Sequence, residues 1–259
     1  MAHHNTVLAQ LMKMVPRHEF EKLANAVDGR RRATGLSRWS QFTALSVGHL
    51  GGRTSLRDIE ATLLSQQHQR YHLGCQPVSK SSLARANATL DYRLFEQLFQ
   101  RLYQRCSQVT PKHPFRFKHK LFSLDASFID VSMKVFPWAN FNTMKAAFKL
   151  HVGLDHDGLI PAFAAVTGAD QSDTRQARTF DVPKGSVLVF DKGYSDYGWH
   201  KQLTDQGIFF VTRMRGNARY TVLERHEARA QAGVTSDQLI QFTSVRSRQK
   251  ALYPVRRIG

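Results

Sequence analysis

Five short apolar runs between residues 120 and 212 constrain the fold of this 259-residue chain more than any other feature. Each is short and rich in β-branched or aromatic residues, which predicts strands at 120–131, 146–154, 159–166, 187–190 and 208–212. Residues 155–158, Asp-His-Asp-Gly, predict a hairpin turn between the second and third runs. Polar helical stretches at 172–180 and 195–206 precede the last two runs. The predicted order is therefore βββ, then αβαβ.

This order predicts an α/β fold with an RNase H-like core, which is a mixed sheet with helices on its faces. In such a sheet the first and fourth strands are neighbours. We assign the core to residues 115–215 and place a linker at 111–114, Pro-Lys-His-Pro. Residues 216–259 show only a weak pattern.

Residues 1–110 predict a helical module. Leu36, Trp39, Phe42 and Leu45 recur at three-residue spacing, and a second helix is expected after Ser55 as its N-cap. The clearest prediction is a third helix with its apolar face formed by Leu83, Ala86, Leu90, Leu94, Leu98 and Leu102.

The chain carries 37 Lys and Arg against 20 Asp and Glu, a net charge of +17. The excess is +8 in residues 1–110 and +9 in residues 111–259, so it is not confined to one tail. Such a surface attracts polyanions, because each phosphate contact releases counterions. The charge favours a nucleic-acid partner, and a generically basic or ribosome-associated protein is the alternative.

Composition excludes other classes. A hydrophobic content of 42% supports a core rather than disorder, and the apolar stretches are shorter than the roughly 20 residues that cross a membrane. Two cysteines, Cys75 and Cys106, predict free thiols in a reducing cytoplasm. The phosphate-binding loop of ATP-driven motors does not occur in the sequence.

Two aspartates are candidate catalytic residues, because each lies in or directly after an apolar predicted strand. Asp125 lies inside an apolar strand and Asp191 directly follows the run at 187–190. A carboxylate in a buried strand needs a partner, and neighbouring first and fourth strands would bring the two together. Two carboxylates at one site favour Mg²⁺ or Mn²⁺ between them. Two unrelated turn or cap aspartates are the alternative.

The chain resembles transposases of the IS4 family, bacterial insertion-sequence enzymes of the DDE type, over nearly all of its length. The resemblance rests on residues 53–60 and 78–87 in the helical leader, on Leu124-Asp125-Ala126-Ser127, and on Asp191-Lys192-Gly193-Tyr194, which matches DxGY. It implies a cytoplasmic, nucleoid-associated enzyme that cleaves and transfers DNA strands. It further implies two Mg²⁺ or Mn²⁺ ions held by Asp125 and Asp191, with terminal inverted repeats and target DNA as partners. Self-association stays open.

The family's third acid lies in a YREK signature after a β-rich insertion, and this sequence has no such pattern. We therefore expect residues 216–259 to begin that insertion, the chain to be truncated, and its core to be incomplete and crippled. A DNA-binding remnant that inhibits or represses without catalysis is one alternative. Another is a different RNase H-like nuclease with Asp205, Glu224 or Glu227 as third acid.

Predicted DNA contacts fall into two groups. End recognition is expected from Arg30, Arg31, Arg32 and Lys80 in the helical module. Phosphate positioning is expected near the paired aspartates, from Lys145, Lys149, Lys192, Arg213, Arg215 and Arg219. Tyr194 either packs against DNA or supports Asp191.

Overall fold

A computed structural model describes residues 6–29, 35–131, 140–142, 145–227, 233–243 and 253–259. The chain divides into two compact units, residues 1–105 and 106–259. Within the described ranges, no helix is long and apolar enough to cross a membrane.

The N-terminal region is helical, as predicted. Its helices are α1 (Val7–Lys13), α2 (Arg17–Asp28), α3 (Arg38–Leu50), α4 (Leu56–Ser65), α5 (Gln67–Arg70), α6 (Lys80–Thr89) and α7 (Arg93–Val109). The core of the first unit forms around Phe20, which is fully buried and lies 5.2 Å from the rings of both Trp39 and Phe42. Ser55 is the predicted N-cap of α4, and its hydroxyl accepts a hydrogen bond from the Asp58 amide at 3.1 Å.

The predicted third helix is wrong in its continuity, because it is split into α6 and α7. Leu90 adopts an extended conformation, with φ −90° and ψ 140°. The Asp91 carboxylate accepts hydrogen bonds from the Arg93 amide, at 2.9 Å, and from the Arg93 guanidinium. An aspartate side chain that bonds the backbone two residues ahead forms a local turn, and this turn competes with continuation of the preceding helix.

The second unit contains a mixed sheet whose strands are β1 (Leu121–Val131), β2 (Asn140–Asn142), β3 (Lys145–Asp155), β4 (Ile160–Gly168), β5 (Val187–Phe190) and β6 (Phe209–Thr212). β1 pairs with β3, and β3 with β4, in antiparallel fashion; β5 pairs with β1 and β6 in parallel. The predicted order of the five main strands is therefore confirmed, and the first and fourth of them, β1 and β5, are neighbours. Residues 155–158 form the predicted hairpin turn, with Gly158 at φ 73°.

The two helices between the parallel strands are shorter than predicted. They are α8 (Asp173–Ala177) and α9 (Tyr197–Asp205). The Asp196 carboxylate accepts hydrogen bonds from the amides of Gly198 and Trp199, at 2.9 and 3.1 Å, and so starts α9 two residues later than expected.

The two faces of the sheet differ in their cover. On one face, the Phe180 ring after α8 lies 5.6 Å from Phe122, and Trp199 of α9 lies 4.8 Å from Phe190. On the other face, Val166 and Val211 remain 57% and 55% exposed. The helices therefore bury one side of the sheet, and the other side presents apolar residues to solvent.

Residues after the mixed sheet form a second, antiparallel sheet from β7 (Tyr220–His226), β8 (Asp237–Phe242) and β9 (Val255–Ile258). Ile240 is its most buried residue, at 1% exposure. The Phe242 ring packs 4.4 Å from Tyr197 of α9, so this sheet contacts the mixed sheet's helical layer.

Candidate active site

Register brings Asp125, Asp191 and Arg213 to neighbouring positions across three strands. Leu124 pairs with Phe190, and Phe190 with Thr212, so each of the three follows a paired residue directly. Adjacent strands lie about 4.8 Å apart, which makes the two aspartates neighbours at one edge of the sheet.

The expected burial of these aspartates is wrong, because both are exposed. Asp125 lies two residues beyond Ser123, whose partner Val189 pairs in turn with the exposed Val211. Side chains two apart point to the same face of a strand, so Asp125 is on the open face of the sheet. Its carboxylate is accessible to ions and to a large substrate.

A 3₁₀ turn at Lys192–Tyr194 fixes the Asp191 side chain. Its Oδ1 accepts a hydrogen bond from the Gly193 amide, and its Oδ2 lies 3.4 Å from the Arg213 guanidinium. Arg213 thus places a positive charge beside the Asp191 carboxylate. This ion pair is weak, since its side chains are 76% and 47% exposed.

Tyr194 is buried, with 2% of its surface exposed, and lies 6.0 Å from the Phe190 ring and 6.3 Å from Trp199. Burial raises the pKa of its phenol, and the carboxylates of Asp173, Asp125 and Asp191 raise it further. Because its ring packs against Phe190 and Trp199, Tyr194 supports the turn that carries Asp191. The alternative of packing against DNA is not available to a side chain this buried.

Lys149 is also buried, at 8% exposure, and not a surface cation as its predicted phosphate contact requires. Its ammonium donates hydrogen bonds to Asp173 Oδ1 at 2.9 Å and to the Gln171 carbonyl at 2.8 Å. It also lies 5.1 Å above the Phe128 ring. The contacts of Lys149 join β3 to the start of α8. Lys149 is therefore a buried structural residue, and its predicted role as a phosphate contact is corrected.

The other predicted DNA contacts have varied positions. Exposed cations are Lys80 at the start of α6, Lys192, Arg213 and Arg215 near Asp191, and Arg219 directly before β7. An open cavity of about 400 Å³ is lined by Asp191, Lys192 and Arg215 among others. Lys145 is the first residue of β3, but its side chain lies outside the described part of the structure, as do Arg30, Arg31 and Arg32 entirely.

The donor chemistry of the site fits a divalent cation, because carboxylate oxygens are the ligands that Mg²⁺ and Mn²⁺ prefer. Among the described residues, no group of three or more acids, histidines or cysteines is placed to hold a metal. Asp205 pairs with Lys201 at 2.6 Å, and Glu224 lies on β7 at 3.6 Å from His226. Asp125 and Asp191 would hold such an ion without a further described acid.

Sequence reasoning missed three polar side chains behind the site. Asp173 anchors Lys149, His200 is buried on α9, and His151 of β3 is 1% exposed with its Nε2 2.9 Å from the Thr167 hydroxyl. Burial lowers the pKa of His151. The signal that could have found His151 and Lys149 is their two-residue spacing on a strand, which places both on one face.

Replacing Gly193 by alanine should displace the Asp191 carboxylate. A Cβ at this position would lie 2.7 Å from Asp191 Oδ1, and that oxygen can move because it ends a side chain. We expect a change of less than about 1 kcal/mol in the free energy of unfolding, but at least severalfold weaker Mn²⁺ binding in a titration. Gly216→Ala is the matched control, since its Cβ would meet nothing within 4 Å. Unchanged Mn²⁺ affinity in Gly193→Ala would show that the amide does not orient Asp191.

Two protein families match parts of the chain. The family described as transposase DDE domain matches residues 116–257, and a domain of unknown function, DUF4372, matches residues 3–76. The first of these matches covers more than half of the chain, including both aspartates and all three strands that carry the site.

Two curated relatives are transposases by name. The putative transposase y4zB of Sinorhizobium fredii is 30% identical over 129 residues, which are 48% of this chain and 36% of the relative. The probable transposase for insertion sequence element IS5377 of Geobacillus stearothermophilus is 24% identical over 137 residues, or 53% and 36%. The matched regions therefore span about a third of each relative's length.

Among solved structures, the chain is similar to a piggyBac transposase synaptic complex with hairpin DNA. The similarity has a TM-score of 0.33 and 10% identity, and covers 80% of this chain and 49% of the other. The extent of the match over residues 116–257 is what decides the classification. The chain belongs to the transposase DDE domain family.

Proposed function

We propose that this chain is a transposase of the IS4 type, which cleaves and transfers DNA strands at terminal inverted repeats. The observation that carries the proposal is the in-register placement of Asp125 and Asp191 on neighbouring strands, open to solvent and next to Arg213. The family match and the two relatives support DNA as the substrate. The site of action would be the bacterial nucleoid.

In this proposal Asp125 and Asp191 hold Mg²⁺ or Mn²⁺. A bound pair of divalent ions would supply an activated water or 3′-hydroxyl and stabilise the departing oxygen in an in-line displacement. The Gly193 amide holds Asp191 in place, and the buried Tyr194 ring supports the turn from below. The exposed Lys192, Arg213 and Arg215 position DNA phosphates, which sets the register of the strand without reading bases.

The number of carboxylates limits this activity. Mg²⁺ favours near-ideal octahedral geometry, and two carboxylates leave more of the coordination shell to water than a cage of three. Since the described residues offer no third acid beside the pair, we propose that the chain binds divalent ions weakly and cleaves DNA slowly.

A strand-cleavage assay tests this function. The purified chain is incubated with labelled terminal inverted repeats and either Mg²⁺ or Mn²⁺, and nicked products are resolved on a denaturing gel. We expect slow cleavage, faster with Mn²⁺, at the repeat ends. Rapid and complete cleavage would contradict the weak-site proposal, and products at random positions would contradict transposase specificity.

The second candidate is a DNA-binding protein without catalysis, acting as an inhibitor or repressor of an intact transposase. The net charge of +17 favours it, together with the two-carboxylate site. Repeat-specific binding with no metal-dependent products in the same assay would select this candidate.

A further inference from the structure

The segment that leads into the mixed sheet, residues 111–120, alternates basic and aromatic side chains. Its sequence is Pro-Lys-His-Pro-Phe-Arg-Phe-Lys-His-Lys, which contains no acid. We call it the aromatic–basic connector. It belongs to the second unit and ends where β1 begins.

The connector presents a pair of stacked phenylalanines to solvent. The rings of Phe115 and Phe117 lie 5.7 Å apart at an interplanar angle of 13°, and they are 53% and 39% exposed. The half-buried His113 ring lies 4.9 Å from Phe117 and 5.5 Å from Phe115. Exposed aromatic rings cost free energy in water, so two of them held parallel at the surface indicate a binding role.

Hydrogen bonds hold the connector in this form. The His113 amide donates to Asp157 Oδ1 at 2.9 Å, and the His113 ring bonds to the His119 carbonyl at 2.8 Å. Lys120 forms an ion pair with the fully buried Asp155 at 2.5 Å. The rings are therefore preorganised, and binding would pay little to order them.

The charges around the rings indicate the partner. Lys112, Arg116 and Lys118 are exposed, and none of them forms an ion pair with another described residue. Two parallel rings flanked by exposed cations can bind a nucleic-acid strand, because its bases stack on the rings and its phosphates contact the cations. Bases in a duplex are already stacked on each other, so only unpaired nucleotides offer their faces to a protein ring.

We propose that the aromatic–basic connector binds single-stranded DNA, with Phe115 and Phe117 stacking on unpaired bases and Arg116 and Lys118 contacting the flanking phosphates. The choice of DNA rests on the proposed function. Only four residues of β1 lie between the end of the connector and Asp125, so Lys120 and Asp125 are about 17 Å apart along the chain. A strand held on the connector would therefore lie within a few nucleotides of the paired carboxylates.

Fluorescence anisotropy with the purified full chain tests the proposal. The probes are a labelled oligothymidylate and a duplex of the same length, both in EDTA so that no cleavage occurs. A stacked base contributes roughly a 5- to 150-fold change in affinity on alanine substitution. We therefore expect the double variant Phe115→Ala, Phe117→Ala to bind oligothymidylate at least about tenfold more weakly and the duplex as before. Phe115→Tyr with Phe117→Tyr should restore binding, since it keeps both rings.

Tyr92→Ala is the matched control, because it removes a 72% exposed ring from another part of the chain and should leave both affinities unchanged. Oligothymidylate binding that survives loss of both rings would overturn the proposal, as would an equal loss for the single strand and the duplex. A chain that stacks bases but never cleaves would refute the transposase activity alone, so the two failures can be told apart.

Discussion

Replacing both Asp125 and Asp191 by asparagine should abolish divalent-cation binding at the strand edge and, with it, cleavage of DNA. An amide is a neutral and weaker ligand than a carboxylate, so the double variant loses both of the carboxylates that the strand register places side by side at this edge. Metal ions contribute several kcal/mol of transition-state stabilisation, so the cleavage rate should fall on the order of a thousandfold or more. Binding of duplex DNA should be retained or strengthened, because two charges that repel phosphates are removed.

The measurement that does not depend on catalysis is a Mn²⁺ titration followed by electron paramagnetic resonance. We expect at least one bound ion to be lost in the double variant, with thermal stability kept or slightly raised since the carboxylates no longer repel. Asp130→Asn is the matched control, because this exposed residue lies on the same strand but an odd number of positions from Asp125, hence on the opposite face. Equal Mn²⁺ affinity in the double variant and the wild type would remove the proposed site.

The strand order, and with it the meeting of Asp125 and Asp191, could be predicted because it depends on features that are local in sequence. Each apolar run marks a strand, the turn at residues 155–158 fixes a hairpin, and the helical stretches at 172–180 and 195–206 enforce parallel connections. Asp191 directly follows its strand, so its position at the sheet edge was determined by the end of that run.

Burial along β3 could not be predicted, because its described polar side chains are more buried than its large apolar ones, the reverse of what hydrophobicity predicts. Lys149, His151 and Asp155 are buried, whereas Phe148, Leu150, Val152 and Leu154 on the alternate positions are half-buried. The reversal depends on partners from distant segments: Asp173 for Lys149, and Lys120 for Asp155. Buried charges need such partners, and a pattern of hydrophobicity contains no information about them. For the same reason Lys149 was mistaken for a DNA contact.

Acidification should destabilise the second unit through His200. This side chain is 4% exposed, its Nε2 has no hydrogen-bond partner among the described residues, and its ring stacks 4.7 Å from Phe210. Burial lowers the pKa of His200 to about 4, against a small opposing effect from a hydrogen bond to the Tyr194 backbone and from Asp196. Between about pH 4 and 6.5 the unfolded chain therefore binds a proton that the folded chain does not.

The sign of the effect follows from this difference in protonation. The contribution is fully present above pH 6.5, the ordinary value for histidine, and is lost as the pH falls towards 4. A shift of this size corresponds to about 3 kcal/mol of unfolding free energy. Urea unfolding across this range should show a steeper loss in the wild type than in His200→Phe, which keeps a ring in the aromatic layer. His68→Gln, at an exposed histidine, should retain the wild-type slope. Parallel slopes for wild type and His200→Phe would contradict the assignment.

Protonation of His200 should also weaken metal binding at the candidate site, at pH values where the chain is still folded. His200 bonds to the backbone of Tyr194, the last residue of the turn that presents Asp191, and its ring lies 5.4 Å from Phe190 at the end of β5. A charged imidazole in this aromatic layer favours local opening of α9 and the turn, because opening exposes the charge to water, which solvates it. Mn²⁺ affinity should therefore fall with pH more steeply in the wild type than in His200→Phe, at pH values where circular dichroism still reports a folded chain. If both proteins lose Mn²⁺ in parallel, the loss comes from direct protonation of Asp125 and Asp191 instead.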